Sequence, residues 1–193
     1  MTAGASVDAV ELLTTDHRAV ERLFRHLLAA GQVAAVENQR DLAQRIVREL
    51  SVHAAVEEQV LYPAARELLP DGDRWADESL HAHGEVKHLL GELDGLDPVD
   101  DGFESCVTRL MELVRSHVGE EEAELLPALH RLAGRERLQE LGTAMEQAKE
   151  GAPTRPHPHA PERPPVHIVA GAVATVADRA GHPVRPLVRG PQS

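Results

Sequence analysis

A segment of the chain occurs twice. Residues 53–68, HAAVEEQVLYPAAREL, and residues 117–132, HVGEEEAELLPALHRL, align 64 positions apart without a gap, and share His, two Glu, Leu, Pro, Ala and Leu. The segments ahead of them correspond as well, since His17, Val20, Leu23 and Leu27 match His83, Val86, Leu89 and Leu93 at an offset of 66. The body therefore reads as two copies of one unit, a helix with His followed by a helix with HxxxE. Such a duplication sets two half-sites face to face about a pseudo-twofold axis.

Gly and Pro punctuate these units. A first helix runs from Asp8, with Glu11 placed for a capping box, to Gly31; a second from about Glu37 to Leu69; a third from about Arg74 to Asp94; a fourth from Phe103 to Ala133. A shorter fifth, RERLQELGTAMEQAKE, follows Gly134 and carries Leu138, Leu141 and Met145 on one side. With one Trp, one Tyr and two Phe, the core must come from Leu, Val, Ile and Ala, which favours helices over a sheet sandwich. The expected fold is all-α: an antiparallel up-down-up-down four-helix bundle with a short fifth helix, over residues 1–150. Residues 151–193 hold nine of the 13 prolines and four of the 12 His and are expected to form a largely disordered tail. Its apolar run, HIVAGAVATVA, is too short for a bilayer span and suits a docking segment.

Charge narrows the partners. The tail carries a net +3, which leaves −15 for residues 1–150 of the total −12, so nucleic acid and anionic membranes are not expected partners. Cys106 is the one cysteine and is read as a small buried hydrophobe. The N-terminal MTAGASVDAVELL has no basic region followed by an apolar one, and a cytoplasmic location is the expectation.

Projection at about 100° per residue sorts the eight body histidines. His17 shares a face with Val10, Leu13, Phe24 and Leu28; His53 with Leu42, Ile46 and Val60; His83 with Val86, Leu90 and Leu93; His117 with Leu110, Leu113 and Ala128. His26, His81, His88 and His130 point away, towards water. Glu57 and Glu121 lie one turn beyond an inward His and also face in. One imidazole on an apolar stripe is usually a hydrogen-bonded core residue. Four on four helices together with two buried carboxylates call for a cation, because an uncompensated buried carboxylate costs several kcal/mol. Imidazole nitrogen and carboxylate oxygen on adjacent turns suit a metal ion, Zn or Mn among those such donors accept.

The segments TTDHRAVERLF, HAAVEEQVLYP, AHGEVKHLL and HVGEEEAELLP, covering roughly residues 8–133, resemble the four helices of the hemerythrin-like, HHE cation-binding domain. The resemblance implies an oxygen-bridged diiron centre within the bundle. His17 and His53 would bind one iron, His83 and His117 the other, and Glu57 and Glu121 would bridge them. Oxygen-carrying hemerythrins bear a second inward His four residues after the first on the third helix; here that place is Lys87. Lys87 reads as a lysine whose ammonium reaches water or meets Glu21, its counterpart on the first helix, which could instead bind iron. Glu124 turns inward as an auxiliary carboxylate or a bundle-end charge. Tyr62 falls on the far side from His53 and reads as a packing residue, and Trp75 as a seal on a bundle end. The ExxH pairs Glu78/His81 and Glu85/His88 share one outward face, which rules out a ferritin-like dimetal arrangement.

Two functions suit this set. The first is a non-haem diiron protein that binds or turns over a small oxidant: dioxygen, peroxide or nitric oxide. The second is a module that senses or stores iron or oxygen without turnover and signals to a protein partner through the fifth helix and tail.

Overall fold

Stripes of Leu, Val, Ile and Ala at helical spacing can leave water only by packing helix on helix. A computed structural model describes residues 7–33 and 36–156, which contain six helices. They are α1 (Ala9–Val33), α2 (Val36–Val56), α3 (Tyr62–Leu68), α4 (Gly72–Asp94), α5 (Phe103–Glu120) and α6 (Leu126–Gly151). A five-residue π-helical turn, Glu57–Leu61, joins α2 to α3 in one rod, and a second, Glu121–Leu125, joins α5 to α6. The bundle is therefore the four-rod arrangement expected. Asp8 caps α1 by accepting the Glu11 N–H at 2.9 Å.

The core has two apolar layers. Val20, Leu27, Ile46, Leu90 and Leu110 belong to one, and Leu13, Leu61, Leu125, Leu129 and Met145 to the other. The direction of the rods follows from which layer each enters. After His17 and His83 the chain runs into the first layer, at Val20 and Val86; before His53 and His117 it comes out of that layer, at Leu50 and Val114. The rods alternate up and down, and the four histidines lie at the level between the layers. Leu28, expected on the His17 face, is instead 44% exposed. Cys106 is buried. Trp75 is half-buried against the second layer, with the Arg74 guanidinium 4.8 Å from its ring centre.

Gly134 breaks α6 with φ 74° and ψ 162°, a conformation essentially reserved for glycine. The break turns residues 135–151 into the expected fifth helix, which buries Leu138, Leu141 and Met145. Gly142 lets this helix touch the start of α1, for an added Cβ would meet the Val7 carbonyl oxygen at 2.2 Å and the Asp8 carbonyl carbon at 3.0 Å. Because both are backbone atoms that cannot swing aside, Gly142→Ala is expected to lower stability by about 1–3 kcal/mol, read as a lower urea midpoint. An unchanged midpoint would mean that the helix is not held there.

The tail from residue 157 onward, with its HIVAGAVATVA run, lies outside the described residues. Among those described, no helix is long and apolar enough to cross a membrane.

Candidate metal centre

Proline sets the local geometry. Pro63 and Pro127 have no N–H, and their rings would press on the carbonyl four residues back, so an α-helical ladder cannot run through them undisturbed. The chain answers with a wider turn: the Tyr62 N–H bonds to the Glu57 carbonyl and the Leu126 N–H to the Glu121 carbonyl, five residues back in each case. Each turn begins at the glutamate, so the positions from His53 to Glu57 and from His117 to Glu121 keep the phase of a straight helix. Every position after the turn lags by one residue, about 100°.

The six residues expected to converge do so, and all are buried: His17, His53, His83, His117, Glu57 and Glu121. The His17 and His53 ring centres lie 4.9 Å apart, and those of His83 and His117 4.8 Å apart. Glu57 spans both pairs with a single oxygen, its Oε2 lying 3.3 Å from Nε2 of His53 and 3.3 Å from Nε2 of His83. Glu121 spans them with two, Oε2 at 3.6 Å from His17 Nε2 and Oε1 at 3.5 Å from His117 Nε2. Among the described residues, two groups could hold a metal ion: His17, His53, Glu57 and Glu121, and Glu57, His83 and His117. Four atoms of these residues, His17 Nε2, His53 Nε2, Glu57 Oε1 and Glu121 Oε2, are buried with no hydrogen-bond partner among the described residues. Orphaned donor atoms are costly, and a cation among them would satisfy all four at once. The residues present thus fit a metal.

The outer ring nitrogens complete the pattern. Nδ1 of His83 lies 3.0 Å from Glu58 Oε1, and Nδ1 of His17 lies 2.9 Å from Glu122 Oε1. Glu58 and Glu122 are partners in the 64-residue repeat, so the two contacts are pseudo-twofold mates. Each carboxylate accepts the Nδ1 proton and leaves the Nε2 lone pair directed inward, the tautomer a metal requires.

Two charge states follow from burial. Burial pushes Glu57 up, but His53, His83 and His117 outweigh it and hold the carboxyl below its usual range. Burial and the Glu57 carboxylate together push Glu121 well up. Burial, followed by His83, lowers His117 to about 3, whereas in His83 the Glu57 and Glu58 carboxylates overcome burial and raise it. Without a cation the two buried carboxyl groups are thus pushed in opposite directions.

Three expectations fail, two of them at the π turns. Tyr62 is buried inside the centre, its hydroxyl 3.0 Å from His83 Nε2, 3.2 Å from Glu121 Oε1 and 3.4 Å from Glu57 Oε2. A straight helix puts it about 180° from His53; the extra residue cuts this to about 80°. Its repeat partner is Leu126, so only one half has a phenol. Glu124 is exposed for the same reason. Lys87 pairs with Glu58 at 2.7 Å, and Glu21 accepts two bonds from Arg115, at 2.8 and 3.0 Å. α1 packs on α2 and α6, and α4 on α2, α3 and α5, so Glu21 and Lys87 stand at diagonal corners. His26, His81, His88, His130, Glu78 and Glu85 are exposed, as expected.

Tyr62→Phe is expected to leave Glu121 and His83 short of a partner, at a cost of about 1–3 kcal/mol in the metal-free chain. A urea midpoint unaffected by the change would mean that the hydroxyl makes no net bond.

Residues 8–129 match the model of the hemerythrin HHE cation-binding domain, most of the described chain. The chain belongs to the hemerythrin HHE family. An uncharacterised hemerythrin-like protein of Schizosaccharomyces pombe is 30% identical over 169 residues, 85% of this chain and 80% of that protein. A DNA nickase of Nostoc is 28% identical over 139 residues, and the matched region spans 72% of this chain but 38% of the nickase. Among solved structures, a hemerythrin HHE cation-binding domain-containing protein from Mycobacterium kansasii shares the fold. Its TM-score is 0.62 at 24% identity, covering 75% of this chain and 89% of that one. Both the hemerythrin-like bundle and a His/Glu cluster able to hold a metal are thus present in this chain.

Proposed function

We propose that this hemerythrin-family chain holds two iron ions and binds or turns over a small oxidant, dioxygen, peroxide or nitric oxide. The observation that carries the reading is the convergence of four imidazoles and two carboxylates with four orphaned donor atoms. His17 and His53 would hold one ion, His83 and His117 the other, with Glu57 and Glu121 shared. Iron bound there supplies redox chemistry and open positions for a small ligand. Zn or Mn satisfy the same donor types, so iron rests on the family.

The chain's own residues limit what can enter. A cavity of about 20 Å³ lies against the four histidines, and its remaining walls are Val20, Leu50, Ala54, Val86, Val114 and Val118. That is room for a water-sized or diatomic molecule, with apolar walls that offer no hydrogen bond. Across the site, Tyr62 holds a proton at its hydroxyl beside Glu121 and Glu57. Nucleic acid forms no part of the proposal, given the acidic body and the partial span of the nickase match.

A sensing role is the second reading. Lys149 of the fifth helix reaches Asp16 at 2.6 Å, and Asp16 lies 3.9 Å from His53 Nδ1, a contact through which that helix could register the centre. Peroxide consumption by the iron-loaded chain, followed optically, separates the two. Turnover that disappears in Glu57→Gln supports oxidant chemistry; iron binding with no turnover supports sensing.

A further inference from the structure

We propose that Lys87 is a positioning residue: through Glu58 it fixes His83 and makes the two halves of the centre unequal, the His83/His117 half retaining its ion and the His17/His53 half exchanging it. The inference rests on the dimetal reading above. It starts from a break in the symmetry. Glu58 and Glu122 hold the outer nitrogens of His83 and His17 at nearly equal distances, 3.0 and 2.9 Å. Their surroundings differ. The Glu58 side chain is 13% exposed, and the Lys87 ammonium grips it by both oxygens, at 2.7 Å from Oε1 and 2.8 Å from Oε2. The Glu122 side chain is 43% exposed, and the position that would supply its lysine, the repeat partner of Lys87, is Glu21, which is committed to Arg115.

A partly buried carboxylate held at both oxygens cannot rotate away from the imidazole it orients; a more exposed one held, among the described residues, by that imidazole alone can. The first keeps the His83 ring, and hence its Nε2, in a single direction, whereas the second lets His17 swing at the small cost of a rotamer change in water. The Asp16–Lys149 pair does not restore the balance. Its carboxylate stands 3.9 Å from His53 Nδ1, beyond hydrogen-bond reach, and that nitrogen has no hydrogen-bond partner among the described residues.

The test is release of iron. The full chain, loaded with ferrous iron, is mixed with excess ferrous chelator, and the chelate colour is followed over time, with circular dichroism recorded on every variant. Two phases of one ion each are expected, at least about tenfold apart in rate. Lys87→Met and Glu58→Gln should speed the slow phase about tenfold or more with helix content unchanged, Lys87→Arg should keep it slow, and Glu122→Gln should speed only the fast phase. A lysine that merely stabilised the fold would alter both phases together, and that result overturns the proposal. So does a single phase in the unaltered chain, or a slow phase indifferent to Lys87→Met. Should Lys87→Met not fold, Glu58→Gln still decides, since a slow phase that it leaves unchanged overturns the proposal. A chain that takes up no iron at all defeats the dimetal reading itself, a different outcome from uptake of two ions that leave together.

Discussion

Glu57→Gln is expected to cost the chain both metal ions, with affinity falling at least about a hundredfold, whereas His53→Ala mainly empties one position and His81→Ala leaves both filled. The difference follows from where each side chain sits. Glu57 has no exposed surface, and its Oε2 stands 3.3 Å from the inner nitrogens of both His53 and His83, so it serves both halves of the centre. The amide of Gln keeps the volume and removes the negative charge, so the four imidazoles lose the anion that most strongly favours a cation among them. His53 touches one half, and His81 faces water. Metal per chain after dialysis, measured for the three variants side by side, checks the ranking. Equal losses from His53→Ala and His81→Ala would mean that the rods are rotated from the arrangement described.

Stripping the metal should loosen the fold itself. A ligand bound only by the native state stabilises it by about 4 kcal/mol when present at a thousandfold its dissociation constant. At about 2–4 °C per kcal/mol for a domain of this size, chelation should lower the melting temperature by roughly 8–16 °C. The cause lies in the centre: without a cation, Glu57 and Glu121 are buried together, and four donor atoms among the described residues stay orphaned. Glu121→Gln should therefore act in opposite directions in the two states. It removes the strained carboxylate and raises the stability of the metal-free chain, while it weakens metal binding and lowers that of the loaded chain. A melting temperature unmoved by chelator, or a Glu121→Gln effect of the same sign in both states, would mean that the centre is a satisfied polar core.

The fold and the six convergent residues were legible because the signals for them lie on straight α-helix. His17 and His83 sit mid-helix, and the two HxxxE pairs end where each π turn starts, so counting at about 100° per residue gives the right face for all six. Beyond Glu57 and Glu121 the same count fails. Tyr62, expected to pack on the far side, is the polar group nearest His83 Nε2 together with His117. Glu124, expected to turn inward, is exposed to water. The missed signal was in plain sight, since Pro recurs six residues after the inward glutamate in both copies, where an α-helix interior tolerates it poorly. Glu58 and Glu122 were missed for another reason. They also recur in both copies, but at about 140° from the inward His they face a neighbouring rod, and what a side chain meets there depends on which helices are adjacent. The repeat pairs Glu21 with Lys87 in sequence; the order of the rods puts them at diagonal corners. Helical periodicity fixes a residue's direction, and only packing fixes its partner.

The number of metal ions in the freshly purified full chain, counted by elemental analysis beside protein concentration and an optical spectrum, bears most directly on the centre. About two iron ions per chain are expected, falling to nearly none in Glu57→Gln; less than one ion of any metal per chain after reconstitution, with melting unchanged by chelator, would contradict a dimetal site formed by His17, His53, Glu57, His83, His117 and Glu121.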